Sequence, residues 1–161
     1  MTAARSLAPA AMEDGLELPE TVLAMTASRV LLIPSASRDY FAGHHLESYA
    51  RDVQHLETVY ANTMMLQGFI DRTVLGPVGP AWYVLKREMS LLAPAYVGPD
   101  LVGRATVRGS GTLVNGVHVV RLGVELVSGS RSAARARVVI ADSAEVPRAV
   151  LERSDLGGAA A

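Results

Sequence analysis

Asn62-Thr63-Met64-Met65-Leu66-Gln67-Gly68-Phe69-Ile70-Asp71-Arg72-Thr73-Val74-Leu75 is the stretch on which the fold turns. Met64, Met65, Leu66, Phe69, Ile70, Val74 and Leu75 recur at helical spacing, while Gln67, Asp71 and Arg72 fall largely to one side. A stripe this wide predicts a helix buried against a sheet, ended by Gly76, Pro77 and Gly79. At its start, unpaired backbone N–H groups and the positive end of the helix dipole point outward.

Beyond the helix the apolar period changes to two. Ala81–Leu92 and Leu101–Thr112 read as strands, and Gly116–Ser128 places His118, Val120, Leu122, Val124 and Leu126 on one face. Arg131–Ala141 does the same with Ala134, Ala136, Val138 and Ile140. Asn115-Gly116 and Gly129-Ser130 supply the turns between them. Before the helix, Arg29–Ile33 reads as a short β-like run stopped by Pro34, and Leu46–Asp52 as a short helix carrying Tyr49 and Ala50 inward. The order is a strand, a buried helix and four antiparallel strands. An α+β fold follows, an antiparallel sheet wrapped around one long central helix. Residues 1–25 read as a partly flexible N-terminal arm, 26–145 as the single folded domain and 146–161 as a C-terminal tail.

The composition narrows the functional classes. The chain has 161 residues, enough for one well-formed core. Its 15 basic and 16 acidic residues nearly cancel, which gives no drive toward nucleic acid or an anionic membrane and favours a small-molecule partner. The absence of cysteine excludes disulfides, thiolate metal sites and cysteine nucleophiles. No basic, apolar leader is apparent near the N-terminus, and the expectation is a cytoplasmic protein.

The chemistry is concentrated in Ser37-Arg38-Asp39-Tyr40-Phe41-Ala42-Gly43-His44-His45. It puts a carboxylate, Asp39, and an imidazole, His44, five positions apart in a short glycine-interrupted segment. Two such groups in one small volume can take a proton from water and give one to carbon. Taken alone, Asp39 also suits a helix cap and His44 a surface position. His45 points away from His44 if the loop is extended, His55 lies in a polar loop with Glu57, and His118 falls on the apolar face of a strand. No metal site is expected from these histidines. Arg104, Arg108, Arg121, Arg131, Arg135 and Arg137 crowd the last three strands, where they either solvate the outer face or bind phosphate.

From about Leu31 to Ile140 the chain resembles the MaoC-like, or hydratase-2, group of hotdog-fold enoyl-thioester hydratases and dehydratases. That family's motif runs small residue, Gly, Asp, any, Asn, Pro, any, His, then five positions and a small residue. Here it falls on Ser37, Arg38, Asp39, Tyr40, Phe41, Ala42, Gly43, His44 and Ala50, so that Arg38, Phe41 and Ala42 replace Gly, Asn and Pro. The Arg-Asp-aromatic start, the double His and Asn62-Thr63-Met64 look closest to a divergent branch that includes steroid side-chain enoyl-CoA hydratase subunits.

The resemblance implies a hotdog fold and addition or removal of water across the C2–C3 bond of an acyl-CoA or acyl-carrier-protein thioester. Asp39 and His44 become the acid/base pair, the Thr63 N–H an oxyanion donor, and Asn62, Met64 and Phe41 candidate substrate contacts. It implies no cofactor other than the CoA or phosphopantetheine of the substrate. The partners it implies are an acyl thioester and a second hotdog chain, identical or related. Loss of the Asn-Pro pair keeps a second class open, a non-catalytic subunit that shapes an acyl tunnel for a paralogous hydratase. A hotdog thioesterase ranks last, because its helix acid could only be Asp71.

Overall fold

The computed structural model of the chain describes residues 7–113 and 116–142. Ten residues, Ala27–Ala36, form helix α1, and the central helix α2 spans Thr63–Val78. Five strands, β1 (Thr21–Leu23), β2 (Trp82–Leu91), β3 (Leu101–Thr112), β4 (His118–Ser128) and β5 (Arg131–Asp142), make one antiparallel sheet in the order β1-β3-β4-β5-β2. The sheet wraps α2, as the periodicity predicts.

The core is the interface between that helix and the inner face of the sheet. Met65, Leu66, Phe69, Ile70, Val74 and Val78 meet Leu101, Ala105 and Val107 of β3, Leu122, Val124 and Leu126 of β4, and Val138 and Ile140 of β5. Ile70 and Val74 have no exposed surface, and burying each such side chain contributes about 1.5–3 kcal/mol. The close approach of helix to sheet depends on Gly103 in β3. A Cβ at that position would overlap the hydroxyl of Thr73, which itself donates 2.8 Å to the Phe69 carbonyl.

Three local expectations are corrected. Arg29–Ile33 is not a strand but the middle of α1, whose N-cap is Thr26, its side chain accepting from the Arg29 N–H. Val30 and Pro34 are buried while Leu32 is exposed, so burial repeats every four residues rather than every two. Helix α2 continues through Gly76 and Pro77 for one further turn and stops at Gly79, which has φ 94° and donates its N–H to the Leu75 carbonyl at 2.9 Å. Pro77 is tolerated because only one backbone hydrogen bond is lost, in the last turn. The expected helix at Leu46–Asp52 contains a π-helical turn over Tyr49–Val53 that buries Ala50 completely and leaves Tyr49 half-buried.

The first strand lies instead within the N-terminal segment. β1 pairs with β3, and Glu17 bridges Thr106 just upstream. Met12, Leu18 and Met25 are buried against the core, and the Leu7 carbonyl accepts from Trp82 Nε1 at 2.9 Å. The Gly129-Ser130 turn joins β4 to β5, whereas Asn115 and the tail from residue 146 lie outside the described residues.

Candidate active site

The loop after α1 is aimed by its backbone. Ser37 closes the helix, its N–H donating to the Ile33 carbonyl at 3.0 Å. Arg38 then takes a left-handed conformation, φ 56°, and the Asp39 N–H returns to the Pro34 carbonyl at 2.9 Å. This reversal turns the Asp39 carboxylate toward the start of α2. A single 3-10 turn, Ala42–His44, follows and buries Gly43 and His44. Gly43 is required by packing, since a Cβ there would overlap Gln54 Oε1 and lie 2.9 Å from the Tyr60 hydroxyl.

His44 is 8% exposed and its two ring nitrogens have different partners. Nδ1 lies 2.9 Å from the Tyr60 carbonyl oxygen, an acceptor only, so Nδ1 carries the hydrogen and donates it. Nε2 is then the ring nitrogen that faces Asp39 Oδ2, at 3.6 Å. The ring is held edge-on between Phe41 and Tyr60, with centroid separations of 5.5 and 4.8 Å. Asp39 is about one-third exposed on its side chain, which leaves the carboxylate open to solvent on one side.

Asp39 is fastened at both ends. Its Oδ2 accepts from Asn62 Nδ2 at 3.1 Å and its Oδ1 from the Phe41 N–H at 3.3 Å. The Asn62 amide, followed by the Phe41 N–H and the nearby His44 and His45 rings, holds the carboxyl below its ordinary value against an opposing desolvation. Its backbone carbonyl accepts from His45 Nε2 at 2.7 Å. His45 therefore does not point away to solvent: it ties down the Asp39 peptide. Sequence reasoning had no signal for this contact, which depends on the 3-10 turn bringing residue 45 back over residue 39.

His44 and Thr63 line one pocket of about 390 Å³, together with Tyr60, Ala61, Leu66, Leu91, Leu92, Ala93, Pro94 and Ala95. Thr63 is the first residue of α2, so its N–H has no intrahelical acceptor and lies at the positive end of the dipole. The structure thus brings His44 and Thr63 to the wall of one mostly apolar cavity, with the Asp39 carboxylate behind His44, 3.6 Å from its Nε2 and not itself among the lining residues.

The three candidate substrate contacts are placed differently. Phe41 packs its ring against His44 and Tyr49. Met64 is exposed beside Thr63, and neither it nor Phe41 is among the residues lining the pocket. Asn62 is corrected from substrate contact to internal tether: it has no exposed surface, and its side chain is committed to the Met65 N–H, Ser37 Oγ and Asp39 Oδ2. Asp71 is ion-paired with Arg87 on β2, away from the pocket. Of the arginines, Arg104 pairs with Glu20, Arg131 with Glu57 and Arg135 with Glu125. Arg104 and Arg135 line a larger outer groove of about 1080 Å³ that contains none of the acid/base groups. Among the described residues, no group of three His, Asp or Glu side chains is placed to hold a metal ion. No described helix is long and apolar enough to cross a membrane.

Comparison with solved structures places this arrangement in a known fold. The chain is similar to the R-hydratase PhaJ1 from Pseudomonas aeruginosa, with a TM-score of 0.69 and 21% identity over 83% of this chain and 84% of that one. It is similar to a chain of the ChsH1-ChsH2 complex from Mycobacterium tuberculosis, with a TM-score of 0.68 and 20% identity over 81% of this chain and 98% of that one. A MaoC-like dehydratase from Rhodospirillum rubrum gives a TM-score of 0.72 at 14% identity, covering 86% of this chain and 97% of that one. No protein-family model matches the chain, and no curated protein matches it in sequence. The fold is the hotdog fold, in the form shared by MaoC-like dehydratases and R-hydratases.

Proposed function

We propose that the chain is a MaoC-like enoyl-thioester hydratase, acting in reverse as a 3-hydroxyacyl-thioester dehydratase. One observation carries this reading: Nε2 of His44 and the carboxylate of Asp39 face each other 3.6 Å apart, and His44 lines the same pocket as Thr63, the first residue of the central helix. The spacing is too long for a direct hydrogen bond and suits one water held by both groups.

The chemistry then follows from the groups present. A trans-2-enoyl thioester enters with its carbonyl oxygen toward the Thr63 N–H, which stabilises the enolate charge as it develops. The water bound between Asp39 and His44 adds its oxygen to C3 while the pair takes one of its protons. The pair returns a proton to C2 on the same face, so that it ends in its starting state and the substrate has gained one water. Because one adjacent pair of groups both takes the proton from water and returns one to C2, addition is syn, and the shared fold with R-hydratases supports the (R)-3-hydroxyacyl product. The acyl group is carried on CoA or on the phosphopantetheine of a carrier protein, and the chain needs no further cofactor.

The same surface supports assembly with a second hotdog chain, identical or related. β2, 10 residues long, pairs with β5 on one side and faces no strand on the other among the described residues, and Phe41, Met64, Leu91 and Leu92 are exposed around the pocket. The hydratase reading leaves room for a non-catalytic role beside an active paralogue, favoured only by Phe41 and Ala42 standing where the related motif has Asn and Pro. Retention of both Asp39 and His44, oriented as an acid/base pair, favours catalysis. A thioesterase is disfavoured because Asp71 is occupied by Arg87.

The test is incubation of the purified chain with crotonyl-CoA and with a bulky enoyl-CoA, each alone and with its paired hotdog chain. Turnover with gain of one water, seen by mass, is the expected result. Absence of turnover of both substrates in every combination overturns the catalytic reading.

A further inference from the structure

The loop that presents Asp39 lacks the Asn-Pro pair of the motif it resembles, yet its carboxylate is held in place from another part of the chain. The side chain of Asn62 is completely buried and makes three hydrogen bonds in two directions. Its Oδ1 accepts from the Met65 N–H at 3.0 Å and so caps the helix whose first residue is Thr63. Its Nδ2 donates 3.1 Å to Asp39 Oδ2 and 3.1 Å to Ser37 Oγ. One planar amide therefore fixes the distance between the carboxylate and the start of the central helix, two parts of the site that lie 24 residues apart in sequence (residues 39 and 63).

We propose that Asn62 is the positioning residue of this site: it acts through Asp39, holding the carboxylate in register with both His44 and the Thr63 N–H, and takes over from the helix side the anchoring that Phe41 and Ala42 cannot give. Phe41 has only its backbone N–H to offer Asp39, and its side chain is spent on the ring of His44. Ala42 has no side-chain donor. The other side chains facing Asp39 are His44 and His45, both on the same loop, so among the described residues Asn62, the N-cap of α2, is the polar side chain that reaches it from outside that loop. The role rests on the hydratase reading, but the geometry of Asp39 does not.

Asn62→Ser tests it, since a serine hydroxyl still caps a helix and is too short to reach Asp39 as well. Folding is checked by circular dichroism and thermal melting. With crotonyl-CoA, kcat is expected to fall by about tenfold or more with KM within about twofold, because orientation and not binding is lost. A second readout does not need turnover: carbon NMR titration of the Asp39 carboxyl is expected to show a midpoint below that of an ordinary Asp in the wild type and an upward shift in Asn62→Ser. A folded Asn62→Ser protein with wild-type kcat and a wild-type Asp39 titration overturns the proposal. If the wild type hydrates no enoyl thioester, the function fails on its own, and the titration alone decides Asn62. If Asn62→Ser does not fold, the wild-type titration decides: an ordinary Asp39 midpoint overturns the proposal, and a depressed one supports it.

Discussion

Thr73 on the central helix lies directly over Gly103 on β3, its Cγ2 only 2.9 Å from where a Cβ at residue 103 would stand. No side chain fits between them, and both residues are buried. Gly103→Ala is therefore expected to destabilise the fold by about 1–3 kcal/mol, since helix or strand must shift to relieve the overlap. Chemical denaturation checks it; an unchanged midpoint with an unchanged slope would mean the helix is not seated as described.

Arg38 has φ 56°, a left-handed conformation that costs a residue with a Cβ about 1–2 kcal/mol, partly offset by the larger freedom of glycine in the unfolded chain. Arg38→Gly is expected to leave stability unchanged or raise it by up to about 1 kcal/mol, with no loss of activity, because the side chain is exposed. A loss of more than about 1 kcal/mol in urea unfolding would show that the guanidinium makes a contact that matters.

The central helix and the four long strands are legible in the sequence because their apolar residues repeat over ten or more positions, long enough for periods of 3.6 and 2 to separate. Val30-Leu31-Leu32-Ile33 is too short for that. Its helical state is decided by the Thr26 cap and by the burial of Val30 and Pro34 together, a tertiary fact. β1, of three residues, carries no period at all and exists because β3 offers it an edge. The approach of Asp39 to His44 and the place of Thr63 at the start of the central helix are legible from spacing and resemblance. The tethering roles of Asn62 and His45 were not, because each joins segments whose approach depends on the finished fold.

Asp39 links pH to stability. Its carboxyl is held below the ordinary value, so its folded-state interactions stabilise the protein at pH above the unfolded Asp value of about 3.9 and are lost as pH falls through the lower folded value. The stability difference between wild type and Asp39→Asn is expected to change in favour of the variant as pH is lowered below about 3.9. Urea unfolding from neutral to acid pH measures it, and a difference independent of pH would contradict the tethered carboxylate.

The outer edge of β2, which faces no strand among the described residues, and the exposed apolar residues beside the pocket predict a dimer. Light scattering at micromolar concentration is expected to give about twice the 17.0 kDa chain mass, or a stable complex with a related hotdog chain when both are present. A fully active species of 17.0 kDa would show that one chain completes the site alone.

The central claim is that Asp39 and His44 together move the protons of hydration. The most direct measurement is hydration of an enoyl thioester by wild type, Asp39→Asn and His44→Ala, each shown to be folded by its melting curve. Each variant is predicted to lose at least about 10²-fold in kcat/KM, with the fold intact. Turnover like that of the wild type in either folded variant would contradict the assignment.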